Sequence, residues 1–97
     1  MIRSFRNQET EDVFNGEKNK RAAKVLPLDL WDVAGRKLDQ INHVSELKYL
    51  SVPPGNRLEP LKGDRIGQHS VRINDQYRIC FRWADDGAHD VEIADYH

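Results

Sequence analysis

Apolar residues follow a helical period in the first half of the chain. From Leu28 onward they are separated by three, one, four and three residues, which places them on one stripe of a helix. The stripe consists of Leu30, Val33, Ala34, Leu38 and Ile41. A long amphipathic helix is therefore predicted in this region.

Three shorter elements flank this helix. Residues 1–5 have the pattern of a short strand, and residues 9–15 that of a brief helix, with Thr10 as its cap and Gly16 as its stop. A further turn of helix is predicted after Ser45, carrying Leu47 and Leu50, and the Pro-Pro-Gly-Asn sequence of residues 53–56 ends it.

The period changes to that of β-strands between Leu58 and Tyr96. The alternation is broken at residues 63–65, 74–76 and 85–87, where Gly, Asn and Asp favour turns, so about four strands are predicted. Helices followed by a run of antiparallel strands indicate an α+β fold, with the N-terminal helices on one face of a mainly antiparallel sheet. With 97 residues, the chain is expected to form a single domain, residues 1–97.

The face of the sheet turned away from the helices should carry polar side chains. Side chains alternate along a strand, so Val71 and Ile79 point to the core while Arg72 and Arg78 point away from it. In the last strand the same alternation puts Tyr96 beside the two arginines. This holds only without an intervening β-bulge, which would replace Tyr96 by Asp95 and His97.

Charge is distributed unevenly, although the net charge is only −1. Residues 57–82 contain six basic and three acidic residues, whereas the tail after Trp83 contains five acidic residues and neither Lys nor Arg. A local basic field fits a polyanion bound at one site, or else a solvated, ion-paired surface. Arg57, Lys62 and Arg65 are candidates to bind substrate there. A second basic stretch, residues 18–24, either touches RNA or is the solvated side of a turn or helix.

Other classes of site lack their signals. Cys80 is the sole cysteine and is expected to be a packed side chain, and the four histidines lack the spacing of a zinc site. No phosphate-binding Gly-rich loop or nucleophile elbow is present. We therefore expect no metal or other cofactor. We expect neither a leader nor a membrane span, so the cytoplasm is the predicted location.

The predicted polar face has the groups that metal-free RNA cleavage requires. The ribose 2′-hydroxyl must lose a proton, the phosphate gathers negative charge, and the 5′-oxygen must leave protonated. Arg72, Arg78 and Lys62 suit the charged phosphate, and Tyr96 or His97 suits the proton transfers. Each residue taken alone has a structural explanation, and their convergence on one face favours the chemical one.

Four segments resemble the HigB-type plasmid-maintenance killer proteins of the RelE/ParE toxin superfamily. They are PPGNRLE (53–59), LKGDR (61–65), GQHSVRINDQYRICF (67–81) and VEIADYH (91–97). The resemblance implies a RelE-like fold, two helices on a curved antiparallel sheet, and cleavage of mRNA in the ribosomal A site.

The resemblance also implies roles for individual residues. Lys62, Arg72 and Arg78 would bind phosphate and stabilise the transition state, and Asp95, Tyr96 and His97 would form a C-terminal catalytic cluster. Some relatives have a histidine where this chain has Glu59, which could act as a base, a salt-bridge partner of an arginine or a simple strand residue. We favour a structural or modulatory role for Glu59.

The resemblance further implies a partner, a small helix-turn-helix antitoxin of the HigA type that represses the shared operon, so that operator DNA is bound only through the complex. Two other classes of function remain open. One is a non-enzymatic growth inhibitor on the same fold, such as a ParE-like gyrase poison, which does not need a Tyr-His terminus. The other is a binding module whose basic face contacts nucleic acid without turnover.

Overall fold

Helices precede the sheet along the chain, as predicted. The computed structural model describes residues 1–96. The α-helices are α1 (Gln8–Asn15), α2 (Lys20–Val25) and α3 (Trp31–His43), and the strands are β1 (Glu59–Pro60), β2 (Gln68–Arg72), β3 (Tyr77–Ala84) and β4 (Gly87–Asp95). Short 3₁₀ turns occupy Leu28–Leu30, Leu47–Ser51, Pro54–Asn56 and Gly63–Arg65. The four predicted strands and the long helix are confirmed, but three α-helices are present where the resemblance implied two.

The cap predicted for α1 is wrong. Asn7, not Thr10, caps the helix, because its side-chain oxygen accepts a hydrogen bond from the Thr10 backbone N–H at 2.9 Å. Thr10 lies inside the helix and is buried, and its hydroxyl accepts a hydrogen bond from the Ile93 backbone N–H of β4 at 3.0 Å. Gly16 ends α1 in a left-handed conformation, as predicted.

The strand predicted at residues 1–5 is reduced to two isolated parallel bridges, which join Ile2 to Ala88 and Phe5 to Val91. The reason is a register shift in β4 between these two contacts, where Asp90 adopts a positive φ of 54°. The bulge interrupts the ladder that a regular strand would need. The N-terminal segment therefore covers the free edge of β4 without becoming a full strand.

The sheet has the order β1-β2-β3-β4, and every neighbouring pair is antiparallel. Its inner face packs against α1 and α3 to form one hydrophobic core. The buried side chains of α3 are Trp31, Ala34, Leu38 and Ile41, and those of the sheet include Val71, Ile79, Phe81, Val91 and Ile93. The predicted stripe is thus confirmed at three positions, while Leu30 and Val33 are only partly buried.

The opposite surface, here called the outer face, carries the polar set. Ser70, Cys80 and Glu92 lie side by side across β2, β3 and β4, and Arg72 lies beside Arg78 in the next row. The bulge places two β4 residues opposite Phe81, because Cys80 pairs with Glu92 but Arg82 with His89. It lies before Val91, so the alternation that puts Tyr96 on the outer face is undisturbed.

Candidate active site

Arg78 is held at the centre of the outer face. Its Nε donates to the Ser70 hydroxyl at 2.7 Å and one terminal nitrogen donates to the Arg57 carbonyl at 2.7 Å. The Glu59 carboxylate lies 3.4 Å from the same nitrogen. Two neutral acceptors thus fix the guanidinium, and only 13% of the side chain is exposed. A fixed planar fork suits recognition of phosphate oxygens.

Arg72 is the direct cross-strand neighbour of Arg78. Like charges at such positions repel one another, since their Cβ atoms lie about 4.5 to 5.5 Å apart. Each guanidinium has a carboxylate partner, Asp75 for Arg72 and Glu59 for Arg78. The Arg72 guanidinium lowers the pKa of Asp75 through a hydrogen bond and its positive charge. The pair forms a concentrated cationic site whose counter-ions are exposed carboxylates.

Tyr96 reaches this region from the end of β4. Its backbone N–H donates to the Gln76 carbonyl, which extends the β3–β4 pairing beyond the strand. The phenol oxygen lies 3.9 Å from the Cys80 sulfur. Burial raises the pKa of Tyr96 above its ordinary value, and the charges of Arg65 and Arg78 only partly oppose this. The phenol is therefore protonated at neutral pH and can donate a proton.

Cys80 is a fully buried thiol on the outer face beneath Tyr96, which confirms the packed side chain predicted from the sequence. Burial raises the pKa of its thiol. A protonated, buried thiol is a poor nucleophile. Cys80 therefore serves as a contact for the Tyr96 hydroxyl and not as a nucleophile.

Arg65 and Glu92 form a second charged pair on the outer face. A terminal nitrogen of Arg65 lies 3.0 Å from Glu92 Oε1 and donates to Gln68 Oε1 at 3.1 Å. Both side chains are largely buried, with 29% of Arg65 and 18% of Glu92 exposed. Glu92 is the cross-strand neighbour of Cys80, whose sulfur lies 3.9 Å from the Tyr96 hydroxyl oxygen, so the Arg65–Glu92 pair lies next to the phenol.

The remaining predicted site residues are less central. Lys62 is exposed before the Gly63–Arg65 turn, and Arg57 is exposed and contributes its carbonyl to Arg78. Asp95 lies opposite Tyr77, on the other side of β4 from Tyr96, and accepts a hydrogen bond from the Gln76 amide at 3.1 Å. His97 lies outside the described residues. The structure thus brings Arg72, Arg78, Arg65, Glu59 and Tyr96 together.

Lys37 is a charged neighbour of the site that the sequence did not indicate. Its amine donates to the Asn56 side chain at 2.9 Å, and Asn56 is itself buried. Burial, together with the positive charges of Arg72, Arg36 and Arg78, lowers the pKa of Lys37. The one available signal was its place three residues after Ala34 and next to Leu38, at the margin of the apolar stripe.

The basic stretch at residues 18–24 lies away from the Arg72–Arg78 pair. Its residues Lys18, Lys20, Arg21 and Lys24 are exposed on and before α2. Arg21 pairs with the buried carboxylate of Asp12 at 3.0 Å. This arrangement supports the reading of the stretch as a solvated helix surface.

Metal-binding clusters and membrane-spanning helices are both absent from residues 1–96. Within that range, no group of three or more His, Cys, Asp or Glu side chains is arranged to hold a metal ion. None of the helices described there is long and apolar enough to cross a membrane.

Known proteins resemble this chain in sequence and in fold. Toxin HigB-1 of Vibrio cholerae is 33% identical over 85 residues, which cover 88% of this chain and 86% of that protein. Endoribonuclease HigB of Proteus vulgaris is 29% identical over the full length of both chains. The YoeB–YefM complex from Staphylococcus aureus contains a chain of the same fold, with a TM-score of 0.54, 19% identity, and coverage of 100% of this chain and 95% of that one. Residues 3–97 match the HigB-like toxin family. The chain belongs to this family of RelE-like toxins of type II toxin–antitoxin systems.

Proposed function

We propose that this toxin is a metal-independent endoribonuclease that cleaves mRNA in the ribosomal A site and so stops translation and growth. The observation that carries the proposal is the Arg72–Arg78 pair, in which two neutral acceptors hold Arg78, with the Tyr96 phenol on the same face of the sheet. The name of the Proteus vulgaris relative, an endoribonuclease aligned over the whole chain, supports it.

The reaction that fits these groups is attack of the 2′-hydroxyl on the adjacent 3′-phosphate. The new bond joins the 2′-oxygen to phosphorus, the bond from phosphorus to the 5′-oxygen breaks, and a cyclic phosphate and a 5′-hydroxyl result. Arg72 and Arg78 bind the non-bridging oxygens and stabilise the charge that builds up on them. Lys62, Arg65 and Arg57 bind the flanking phosphates.

Two proton transfers accompany this attack, and they need a base and an acid. Tyr96 suits the acid, because a phenol is protonated at neutral pH and burial raises the pKa of this one further. It would give its proton to the departing 5′-oxygen. His97 is the better candidate for the base, since an ordinary imidazole titrates near pH 6.5. Asp95 would act from the opposite side of β4, through the backbone that orients Tyr96.

The charge balance of the outer face supports dependence on the ribosome. Four of its arginines are paired with carboxylates: Arg72 with Asp75, Arg78 with Glu59, Arg65 with Glu92 and Arg82 with Asp90. A face neutralised in this way attracts free RNA weakly, because nonspecific binding depends on unpaired positive charge. A codon already held in the A site would be presented without that attraction, and a toxin that acts on ribosomes would work in the cytoplasm.

Membership of a toxin–antitoxin family implies an antitoxin partner. We propose that it is a HigA-type helix-turn-helix protein that neutralises this toxin. Operator DNA would then be contacted through the antitoxin in the complex.

The test is primer extension of mRNA on programmed ribosomes. Wild-type protein should cut at the A-site codon, and a variant lacking Tyr96 and His97 should not. Arg78→Ala should cut at least about 100-fold more slowly, since one lost donor to a developing charge commonly costs 10² to 10³ in rate. Arg82→Ala is the matched control on the same strand and face, and should stay within about threefold. Absence of cuts with wild type would refute the proposal and favour a gyrase poison or a binding module.

A further inference from the structure

We propose that Glu92 is a positioning residue that holds the Arg65 guanidinium next to Tyr96 during RNA cleavage. The inference rests on the proposed function and extends it to a carboxylate on the substrate-binding face. Glu92 lies on β4 in the same row as Cys80, the residue whose sulfur lies 3.9 Å from the Tyr96 hydroxyl oxygen.

The Arg65 side chain needs an anchor because its backbone lies in a turn. It belongs to the Gly63–Arg65 turn between β1 and β2, so its backbone lacks the support of a strand ladder. A long, flexible side chain loses rotamer entropy when it is held in one place, so it stays ordered only where partners hold it. Glu92 and Gln68 are the two groups that hold its guanidinium among residues 1–96.

Burial of the Glu92 carboxylate has a desolvation cost, so a gain in folding stability does not explain why a carboxylate lies here. Glu92 Oε1 is buried and has no aligned hydrogen bond among the described residues, although the Arg65 guanidinium lies 3.0 Å away. A buried ion pair often contributes little net stability, because desolvation offsets the attraction. A carboxylate on this face also repels phosphate. Both costs are explained if the function of Glu92 is to fix Arg65.

The other ion pair of Glu92 is the weaker one. Arg6, from the N-terminal segment, lies 3.7 Å from Oε2, and 58% of its side chain is exposed. A solvated pair at that distance holds neither partner in one geometry. Arg6 therefore provides a matched control, an arginine that shares the carboxylate through a longer and more solvated contact.

Because Arg65 lies beside the phenol, its positive charge can stabilise the negative charge that forms on Tyr96 during cleavage. As Tyr96 releases its proton to the 5′-oxygen, negative charge appears on the phenol oxygen, and a fixed neighbouring cation stabilises it. A guanidinium that has drifted away does so less well, since displacement by about 1 Å can cost on the order of 10²-fold in rate. Replacing Glu92 changes substrate binding little, because Arg65 keeps its charge for a flanking phosphate, and Arg72 and Arg78 have other carboxylate partners.

The experiment is a double-mutant cycle on ribosome-bound mRNA. Glu92→Gln should lower the cleavage rate about tenfold, with the half-saturating concentration within about threefold of wild type. Arg65→Met should lower the rate about as far and also raise the half-saturating concentration, because Arg65 binds a flanking phosphate as well. The double variant should be no slower than Arg65→Met alone, because Glu92 acts through Arg65. Arg6→Met should keep nearly the full rate. Additive losses, a defect confined to binding, or an equal loss in Arg6→Met would overturn the inference.

A second measurement does not depend on RNA cleavage. In ¹⁵N NMR of the arginine side chains, the terminal N–H signals of Arg65 should be resolved and slow to exchange in wild type, and averaged in Glu92→Gln. Unchanged Arg65 signals would show that Glu92 does not hold it. If these signals respond but wild type leaves mRNA uncut, the proposed function fails and the catalytic role of Glu92 fails with it, while the anchoring of Arg65 stands.

Discussion

Arg72 and Arg78 lie directly opposite each other in an antiparallel ladder, an arrangement that two like charges disfavour. For Arg78, the counter-ion is distinct from the groups that fix its position. Ser70 and the Arg57 carbonyl fix Arg78, whereas Glu59 adds negative charge from an exposed position, as Asp75 does for Arg72. An incoming phosphate can therefore displace Glu59 without disturbing the Arg78 guanidinium.

Replacing Glu59 tests this division of labour. Glu59→Gln should leave Arg78 in place and make the site more cationic, so RNA should bind up to about fivefold more tightly, the limit set by an exposed ion pair worth at most about 1 kcal/mol. The measurement is the affinity for a non-cleavable RNA oligonucleotide with 2′-methoxy groups. The gain should shrink at high salt because the interaction is screened.

The same variant separates the three roles open to Glu59. Asp75→Asn is the matched control, since it removes the exposed partner of the other arginine and should give a gain of similar size. If Glu59→Gln abolished cleavage of ribosome-bound mRNA while binding was kept, Glu59 would be a base and not a counter-ion. No change in either property would reduce it to a strand residue.

At the level of single residues, period-two alternation was sufficient to place Arg72, Arg78 and Tyr96 on one face. It could not reveal Lys37, whose amine reaches the site through Asn56 because a helix places it there. Nor could it locate the bulge in β4, whose position decides that Tyr96 and not Asp95 lies on the same face as the arginines. Those properties arise from tertiary contacts that no local pattern encodes.

At the level of elements, the N-terminal segment and β4 depend on each other. The Ala88 N–H donates to the Met1 carbonyl at 3.0 Å, and the Arg3 N–H donates to the Ala88 carbonyl at 2.7 Å. Gly87 makes this approach possible, because it has φ of 130° and a Cβ there would lie 2.0 Å from the Met1 carbonyl oxygen. The free edge of the sheet is covered through this contact.

Gly87→Ala should therefore be strongly destabilising. Backbone strain at that φ and the clash with Met1 should together cost about 2 to 4 kcal/mol, which lowers Tm by at least about 8 °C in a domain of this size. Thermal unfolding followed by circular dichroism measures the change. Gly35→Ala is the control in the middle of α3: among the described residues nothing lies within 4 Å of its added Cβ, and it should raise stability by up to about 1 kcal/mol. A neutral Gly87→Ala would mean that the N-terminal segment is free to move away.

The elements were predictable to the extent that a local signal marked them. The three breaks between strands and the apolar stripe of α3 were found, because turn residues and a helical period mark them directly. The N-terminal strand was overestimated, because the bulge at Asp90 belongs to its partner and not to the segment itself. The cap of α1 was misplaced because Asn7 and Thr10 are both favourable cap residues, and only the contact with Ile93 assigns Thr10 to the interior.

Across the whole molecule, a buried carboxylate links the first two helices. Asp12 of α1 is 1% exposed and accepts hydrogen bonds from Gln8, Asn19 and Arg21, each at 3.0 Å. Asn19 caps α2 and Arg21 lies within it, so the start of α2 is tied to α1 through this one group. The hydrogen bonds from Asn19, Gln8 and Arg21 lower the pKa of Asp12 to about 2.

The stability of the fold should therefore fall in acid. An unfolded Asp titrates near 3.9, so a group with a folded pKa of about 2 stabilises the protein fully above that range and loses its contribution as the pH drops from about 5 to 2. Urea unfolding at pH 7, 5, 4 and 3 should show this loss in wild type. Asp12→Asn should be less stable at pH 7 and respond less to acid, and Gln8→Met, which removes one of the three donors, should lie between them. Parallel curves for wild type and Asp12→Asn would assign the acid sensitivity to other carboxylates, of which Asp75 and Asp86 also have lowered pKa values.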